Sequence, residues 1–377
     1  MSTQIASMHA AISRLSSALH AKHAKARYAA QHVKFWYVKT KPAFAQNQQS
    51  YHLMDLSTNA HTILPPNIQS NVPLADKTWF RVGGPARWYA EPRTEDELAA
   101  AILFAQSEKL PLVFIGEGAN ILISDHGFDG LVIRPQLNTL SHFIEHGSGF
   151  VTAGAGTSFS TLIEYCLNNG LAGLEEFSGI PGSVGGSVYI NIHYFEYLLS
   201  QFLVSARIIE RTTGRVRTVS PDWFEFGYNQ SRLQRHEEYL VDATFKLTVQ
   251  DPLTVAYAQG RRFEMMRYRA RRYPTSGTCG SFFRNFTKEE ISCLGASAVP
   301  YVAYYLDRIG VKGSLAVGKA RVSHQHANML VNTGGATAAE IAELARIMQE
   351  KVFATFGIVP QPECLIIGFA DQYPLLR

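Results

Sequence analysis

Patterns of apolar and polar positions that predict regular secondary structure begin after Pro73. The segment TEDELAAAILFAQSEKL opens with Thr94 and Glu97, a capping box that satisfies two backbone amides and predicts a helix start. The next segment, PLVFIGEGANILISD, predicts a strand, a tight glycine loop and a second strand. The patterned part of the chain therefore opens with a mixture of helix and strand.

The same mixture continues to the last residues. GFVTAGAGTSFSTLIEYCLNNGLAGLEEFSGIPGSVGG predicts a strand, a glycine turn, a helix ending at Gly170 and a glycine loop. FLVSARIIERTTGRVRTVS alternates as a hairpin that turns at residues 213–214. HANMLVN predicts a strand, a helix follows between the capping box of Thr337 and Glu340 and a stop at Gly357, and ECLIIGF predicts a closing strand. Together these patterns predict an α+β chain with mixed sheets.

Length and composition fit a globular protein of two or three domains. The chain has 377 residues, of which 46% are hydrophobic and 18% charged, enough to bury a sizeable core. No apolar stretch approaches the roughly 18 residues of a membrane span, so no integral membrane contact is expected. The four cysteines form no Cys-x-x-Cys pair, which argues against a zinc site or a disulfide framework and fits the cytoplasm; they are Cys166, Cys279, Cys293 and Cys364.

The charge is unevenly distributed along the chain. Residues 1–53 carry seven Lys or Arg and no Asp or Glu, so the remainder has 28 basic against 31 acidic residues. Apolar residues in this segment recur at the spacing of an amphipathic helix, at Ile5, Met8, Ile12, Leu15 and Leu19. The pattern predicts a poorly ordered extension, with Met54 available as a later start; a targeting segment or a basic arm for an anionic surface is the alternative.

Three glycine clusters each follow a predicted strand. They are Gly116 with Gly118, Gly154 with Gly156, and Gly182 with Gly185 and Gly186. Because glycine has no Cβ and permits positive φ, such loops can point successive N–H groups at one anion, and a diphosphate is the natural guest. GEGANI has Ile121 where a Rossmann fingerprint needs its third glycine, and no P-loop motif occurs. The clusters therefore predict a dinucleotide held by another fold.

Six motifs occur in the order found in one enzyme family. They are TWFRVGGPARW, FIGEGANILISDHGFDGLVI, AGLEEFSGIPGSVGGSVYIN, GSFFRN, HANMLVN and FGIVPQPECLIIG, spread from about Leu74 to Phe369. In these motifs the chain resembles the UDP-N-acetylenolpyruvoylglucosamine reductases, the flavoenzymes that complete UDP-N-acetylmuramate for peptidoglycan. The resemblance implies an FAD-binding fold of the cresol methylhydroxylase and vanillyl-alcohol oxidase type, followed by a C-terminal α+β substrate domain. We expect an extension over residues 1–71, an FAD-binding domain over 72–250 with subdomains 72–138 and 139–250, and a substrate domain over 251–377.

The resemblance also implies the ligands. FAD would be the bound cofactor, NADPH the reductant and a nucleotide sugar the substrate, in a cytoplasmic monomer. GEGAN and GIPGSVGG are similar to the loops that wrap the FAD diphosphate, which assigns cofactor binding to Gly116, Gly118, Asn120, Ile121, Gly182, Ser183, Gly185 and Gly186. Ala119 stands where the family usually has serine, which removes one hydroxyl donor.

Catalytic residues follow from the same motifs. After hydride reaches the enolpyruvyl group, a proton must be delivered to the adjacent carbon, and the resemblance implies Ser281 as its donor. Glu363 matches the family's catalytic glutamate, which orients the intermediate. Substrate binding is assigned to four residues, Tyr228, Asn229, Arg284 and Asn285.

The chain departs from the family pattern in two places. Asn229 stands where the family's Tyr-Arg-x-Ser motif has an arginine that neutralises the substrate carboxylate. Losing such a stabiliser typically costs about 10²–10³ in rate, so we expect another cation, Arg232 or Arg284, to take over, and we assign the catalytic role to Arg232. The usual Asn-Ala-Gly-Ala-Tyr-Gly is replaced by the bulkier NIHYFEYLL, which indicates a rebuilt site lining.

Two other functions stay open. The fold is compatible with a flavoprotein that oxidises another sugar or alcohol, and with a flavin-binding protein that lost catalysis with its arginine. Ser281 and Glu363 are both retained, which favours the reductase. The choice between NADPH and NADH is not decided by these motifs.

Two further patterns have less specific meanings. His324 and His326 would share a face of a predicted strand, but no third ligand follows by spacing, so no metal is expected. RRFEMMRYRARRYP concentrates arginines and predicts a solvated helix face or an anion funnel for diphosphates; they are Arg261, Arg262, Arg267, Arg269, Arg271 and Arg272. No nucleic-acid module is visible, so no nucleic-acid partner is expected.

Overall fold

The computed structural model describes residue 65 and residues 67–369. The predicted basic extension lies outside the described residues except for positions 65 and 67–71.

Residues 67–133 form a mixed sheet covered by one helix. The elements are β1 (Ile68–Pro73), β2 (Pro85–Ala90), α1 (Glu95–Ser107), β3 (Leu112–Phe114), β4 (Ile121–Ile123) and β5 (Phe128–Ile133). The strand order is β1-β2-β5-β3, with β2 antiparallel to β1 and parallel to β5. The Thr94 hydroxyl accepts a hydrogen bond from the Glu97 amide, which confirms the predicted helix start. Leu98 and Ile102 of α1 are fully buried in one cluster with Leu131, each worth roughly 1.5–3 kcal/mol of burial.

Residues 140–249 form a larger antiparallel sheet. The elements are β6 (Leu140–Glu145), β7 (Ser148–Gly154), α2 (Phe159–Asn168), β8 (Leu171–Ala172), α3 (Val184–Tyr189), β9 (His193–Tyr194), β10 (Tyr197–Leu198), β11 (Leu203–Glu210), β12 (Val216–Val219) and β13 (Glu238–Val249). The order is β12-β11-β13-β7-β6, with β8 beside β13, while β9 and β10 pair as a separate hairpin. The predicted hairpin at residues 213–214 and the predicted helix stop at Gly170 are confirmed.

Residues 252–367 contain three helices and short strands. The elements are α4 (Pro252–Arg272), α5 (Val302–Arg308), β14 (Ala316–Val317), β15 (Ala320–Val322), β16 (Leu330–Asn332), α6 (Ala338–Phe356) and β17 (Leu365–Ile367). Strands β14, β15 and β16 form an antiparallel sheet, and Ile341, Leu344 and Met348 of α6 are buried in one cluster with residues of that sheet. The capping box of Thr337 and the stop at Gly357, whose φ is 70°, are confirmed.

Short 3-10 helices fill several connections. They span Ala75–Lys77, Glu175–Phe177, Leu199–Gln201, Pro221–Phe224, Arg232–Arg235 and Ser292–Leu294. Within residues 65 and 67–369, no helix is both long enough and apolar enough to cross a membrane.

The last strand is paired with a strand near the start of the fold. β17 lies parallel to β4, with Leu365 opposite Ile121. The Leu365 amide donates to the Asn120 carbonyl over 3.0 Å, and the Asn120 side-chain amide donates to the Glu363 carbonyl over 3.3 Å. The first glycine loop is thereby fixed against the segment that carries Glu363.

The strand predicted for His324 and His326 is wrong. β15 ends at Val322, and the Ser323 hydroxyl accepts the Gln325 amide over 3.0 Å, so the chain turns instead of extending. The ring of His326 packs edge-on against Tyr273. In the described part of the chain, no group of three His, Cys, Asp or Glu side chains is placed to hold a metal.

Candidate active site

The loop at residues 116–120 presents free backbone amides. It connects β3 to β4, and none of its five N–H groups donates to a described residue. Buried N–H groups without a partner are rare, so a run of partly buried ones fits an anionic ligand. Gly118 has φ of 69°, and a Cβ there would overlap the Lys77 carbonyl oxygen. Only glycine allows the loop to take this path.

In the second glycine loop, residues 179–186, most backbone amides already donate hydrogen bonds to other groups of the protein. Val184 donates to the Thr157 carbonyl and Gly185 to the Ala155 carbonyl, both over 2.8 Å, while Gly186 donates to the Ser183 hydroxyl over 3.2 Å. A Cβ on Gly116 would overlap that hydroxyl, so the two loops are in contact. The second loop is therefore mainly structural, and the first loop offers most of the free backbone N–H donors.

A cleft of about 350 Å³ lies between the loops. Its lining residues are Gly116, Glu117, Arg134, Pro135, Gln136, Asn138, Leu140, Gly156, Thr157, Ser158, Thr161 and Ser183. Arg134 follows β5 directly; its Nε donates to the Gly116 carbonyl over 3.2 Å, and it lies 3.6 Å from the Glu91 carboxylate. The Glu117 carboxylate accepts the Gly182 amide over 3.1 Å.

These features fit a dinucleotide diphosphate. Free amides, the guanidinium of Arg134 and hydroxyls line one cleft, and the contact between Gly116 and Ser183 leaves no room for larger side chains. Sequence reasoning missed Arg134, although a cation directly after a parallel strand is a recognisable signal, because ligands bind outside the carboxyl ends of such strands.

Replacing Gly118 should damage the cofactor loop more than a glycine of the same conformation elsewhere. Gly147→Ala is the matched control, since its φ is 74° and nothing lies within 4 Å of the new Cβ. We expect Gly147→Ala to cost about 1 kcal/mol of unfolding free energy, and Gly118→Ala several times more because the backbone must move. Urea unfolding and the FAD content after gel filtration measure both effects; equal losses for the two variants would contradict this account.

Ser281 and Glu363 are held on neighbouring backbone segments. Ser281 forms an isolated bridge with Met329, and the Glu363 amide donates to the Phe282 carbonyl over 2.8 Å. Asn328 clamps the same segment, because its side-chain oxygen accepts from Phe283 over 3.0 Å and its side-chain nitrogen donates to the Phe283 carbonyl over 2.7 Å. The two predicted catalytic residues thus share a rigid base.

Glu363 is a poorly solvated carboxyl. Burial raises the pKa of Glu363 to about 7. The ionised form of a desolvated carboxyl is disfavoured, so Glu363 holds its proton over most of the acidic range. A neutral carboxyl can donate a hydrogen bond to developing negative charge.

Tyr228 and Asn285 lie next to this pair. The Asn285 amide donates to the Tyr228 hydroxyl over 3.4 Å. Burial raises the pKa of Tyr228, and the charge of Glu363 contributes to the same shift. Arg284 is engaged with Glu290 through two hydrogen bonds of 2.9 and 2.6 Å. The structure thus brings Tyr228, Asn285 and Glu363 into one neighbourhood and gives Arg284 a carboxylate partner.

Asn229 and Arg232 do not face the same surroundings. Asn229 has φ of 54°, and neither polar atom of its buried side-chain amide has a partner among the described residues. Arg232 lies 3.8 Å from Glu225, 4.0 Å from Glu237 and 3.8 Å from Glu238, and its guanidinium lies 4.9 Å from the centre of the Trp223 ring. The catalytic role of Arg232 stays a prediction, and its contacts describe a structural cation.

Arg232→Ala should lower stability more than turnover. Glu238 is 7% exposed and keeps Arg217 as a partner at 3.2 Å, so loss of Arg232 should cost about 1–2 kcal/mol of unfolding free energy, from the weakened pairing and the lost contact with Trp223. Arg235→Ala is the control, because Arg235 lies on the same short helix and pairs with the exposed Glu225, a kind of ion pair worth about 0–1 kcal/mol. Urea unfolding and steady-state turnover separate the two effects. A large loss of turnover at unchanged stability would support the catalytic role instead.

Comparisons with known proteins cover both halves of the described fold. The family model described as "UDP-N-acetylenolpyruvoylglucosamine reductase, C-terminal domain" matches residues 272–367, and one described as "FAD binding domain" matches residues 86–220. Proteins named UDP-N-acetylenolpyruvoylglucosamine reductase from Synechocystis sp. and Nostoc sp. are 35% and 36% identical over 80% of this chain, covering 91% and 86% of their own lengths. The chain belongs to the UDP-N-acetylenolpyruvoylglucosamine reductase family.

A solved structure of the family agrees with this membership. The reductase from Thermus caldophilus is 28% identical, covers 79% of this chain and 98% of its own, and superposes with a TM-score of 0.64. The predicted α+β fold class with an FAD-binding domain is confirmed, as is the predicted class of FAD-dependent oxidoreductase. The individual site residues stay predictions, which the geometry above makes testable.

Proposed function

We propose that this reductase family member converts UDP-N-acetylenolpyruvoylglucosamine to UDP-N-acetylmuramate, a peptidoglycan precursor, with NADPH as reductant. The observation that carries this function is the match to relatives of that name over 80% of the chain, which spans both the FAD-binding part and the C-terminal part. When bound, FAD would supply hydride-transfer chemistry between NADPH and the enolpyruvyl group.

The first glycine loop and the cleft residues bind the cofactor in this proposal. The free amides of residues 116–120 and the guanidinium of Arg134 hold the diphosphate. Ser183 and Gly116 keep the two loops in contact, and Asn120 ties the first loop to the Glu363 segment.

The residues of the C-terminal half handle the substrate. Tyr228 and Asn285 orient the enolpyruvyl group beside Glu363, and Ser281 delivers a proton to the carbon next to the one that receives hydride. A free serine is a weak acid, so this transfer depends on a strongly basic acceptor and a positioned hydroxyl, and the contacts of Phe282 and Phe283 hold the backbone segment that carries it. Glu363, when neutral, donates a hydrogen bond to the charge that develops on the substrate carboxylate.

The finer assignments are proposals of the same kind. We place the enzyme in the cytoplasm as a monomer, with FAD bound without a covalent link by residues 72–250 and substrate bound mainly by residues 251–377. The arginines of α4 give the surface a positive potential that attracts diphosphates.

The proposed function is tested with the purified full chain. A flavin spectrum, release of the yellow cofactor on denaturation, and NADPH consumption that requires enolpyruvyl-UDP-N-acetylglucosamine are the expected results. A flavin that NADPH reduces but that this substrate does not reoxidise would identify a flavin-binding protein with impaired catalysis, the outcome that Asn229 in place of arginine leaves open.

A further inference from the structure

The site lacks a guanidinium at the position where the family pattern has one. Asn229 sits in the turn between Gly227 and Gln230, with both polar atoms of its side chain buried and unpaired among the described residues. An unsatisfied buried amide costs about 1–3 kcal/mol, so it marks a place where a ligand can supply a partner. An amide, however, brings no charge.

The two arginines expected to compensate are already paired. Arg284 makes a forked pair with Glu290, and Arg232 lies among three carboxylates. Either cation would have to leave its partners to reach the substrate. Burial is the cause that raises the pKa of Glu363, which fits a site with little positive charge beside this carboxyl.

His193 lies in this neighbourhood. Its ring is 4.6 Å from the ring of Tyr228, centre to centre, at an angle of 48°. Tyr228 in turn accepts the hydrogen bond from Asn285 and is affected by the charge of Glu363. The imidazole therefore packs directly against Tyr228, one of the residues that the proposed function places around the substrate.

The hairpin that carries His193 is firmly attached. The Asn191 side chain donates to the Gly227 carbonyl over 3.1 Å, which links the hairpin to the turn of Asn229. On the other side, the guanidinium of Arg269 lies 5.5 Å from the centre of the Tyr194 ring and donates to the Gly179 carbonyl over 3.1 Å. This attachment gives His193 a defined position beside Tyr228.

We infer that His193 is a catalytic residue that donates a hydrogen bond to the carboxylate of the enolpyruvyl group, in place of the missing guanidinium. This inference rests on the proposed function. A neutral imidazole keeps one N–H donor. A hydrogen-bond donor placed where charge develops is worth about 10²–10³ in rate, comparable to the loss expected from an absent arginine. His193 and the unpaired Asn229 amide would thus form a site built from neutral donors.

The inference is tested by separating the donor of His193 from its ring. His193→Phe keeps a ring against Tyr228 and removes the N–H, and His193→Gln keeps an N–H donor without the ring. In anaerobic stopped flow with the holoenzyme, we expect His193→Phe to leave flavin reduction by NADPH unchanged and to slow flavin reoxidation by saturating enolpyruvyl substrate about 10²-fold. His193→Gln should recover most of that rate. Because the donor acts where charge develops, the dissociation constant of the substrate should change far less than the rate.

Two further variants test whether the effect of His193→Phe is only a packing defect. Phe195→Ala, on the tip of the same hairpin and 76% exposed, should behave as the wild type in both half-reactions. Adding Asn229→Arg to His193→Phe should restore reoxidation, since a guanidinium at the family position makes the imidazole unnecessary. A packing defect would not be repaired in this way.

Each outcome separates this inference from the proposed function. If the wild type reoxidises its flavin with the substrate but His193→Phe does so equally fast, His193 only packs on Tyr228 and the inference is wrong. Equal slowing of both half-reactions would also overturn it, because a substrate donor acts in the second alone. If the wild type itself does not react with the substrate, the proposed function fails, and the inference fails with it.

Discussion

Ser281→Ala should leave flavin reduction by NADPH unchanged and slow flavin reoxidation by the enolpyruvyl substrate about 10²–10⁴-fold, the usual contribution of a positioned proton donor. The reason is chemical, since only the second half-reaction needs a proton at a substrate carbon. Stopped-flow traces of the two halves measure the effect directly.

Two companion variants make the Ser281 experiment specific. Ser276→Ala removes an exposed hydroxyl from the same stretch of chain and should change neither half-reaction. Ser281→Cys keeps an acidic proton at the same place and should recover part of the lost rate. If Ser281→Ala slows both halves alike, the residue shapes the site and donates no proton.

Glu363→Gln should stabilise the protein at alkaline pH and, because its side-chain amide still donates a hydrogen bond, should keep flavin reoxidation that does not change with pH near 7. Burial raises the pKa of Glu363 from 4.5 to about 7 in the folded protein. The stability that neutral Glu363 contributes is therefore fully present below pH 4.5 and is lost as the pH rises through 7. Above that range the ionised carboxylate costs at most about 3 kcal/mol, a cost that a neutral glutamine does not have.

Urea unfolding at two pH values tests the stability half of this prediction. At pH 8 the variant should exceed the wild type by up to about 3 kcal/mol, and at pH 4.5 the two should nearly coincide. Glu289→Gln is the control, because Glu289 is exposed and its own backbone amide lowers its pKa, so no gain at pH 8 is expected. A stability difference that does not change with pH would show that Glu363 is not desolvated as described.

The pH dependence of flavin reoxidation follows from the same protonation of Glu363. If neutral Glu363 donates to the substrate carboxylate, flavin reoxidation in the wild type should fall as the pH rises through about 7. Reoxidation in Glu363→Gln should lack this fall, because the glutamine amide donates at every pH. A wild-type rate that increases over the same range would assign the active role to the carboxylate form.

Local signals in the sequence predicted the local parts of the fold. The helices starting at Thr94 and Thr337, the hairpin at residues 213–214 and the strands beside the first glycine loop follow from capping boxes, glycine stops and alternation. Each of these features is determined by residues within a few positions of one another, which explains why a single sequence reveals them.

Features that depend on distant residues were not predictable from patterns. The pairing of β17 with β4 joins segments that are far apart in the sequence. The amides of Val184 and Gly185 are used by the carbonyls of Thr157 and Ala155, which lie on an earlier segment of the chain. The strand proposed for His324 and His326 failed because the side chain of Ser323 favours a turn, which alternation of polarity does not reveal.

The pairing of β17 with β4 has a consequence for synthesis of the protein on the ribosome. Chains emerge with the amino-terminal part first, so β4 is exposed long before its partner has been translated. During that interval the loop at residues 116–120 lacks the contacts of Asn120 with Leu365 and Glu363. Nascent chains stalled before residue 365 should therefore retain little flavin, and cofactor loading becomes a late event that reports a completed polypeptide.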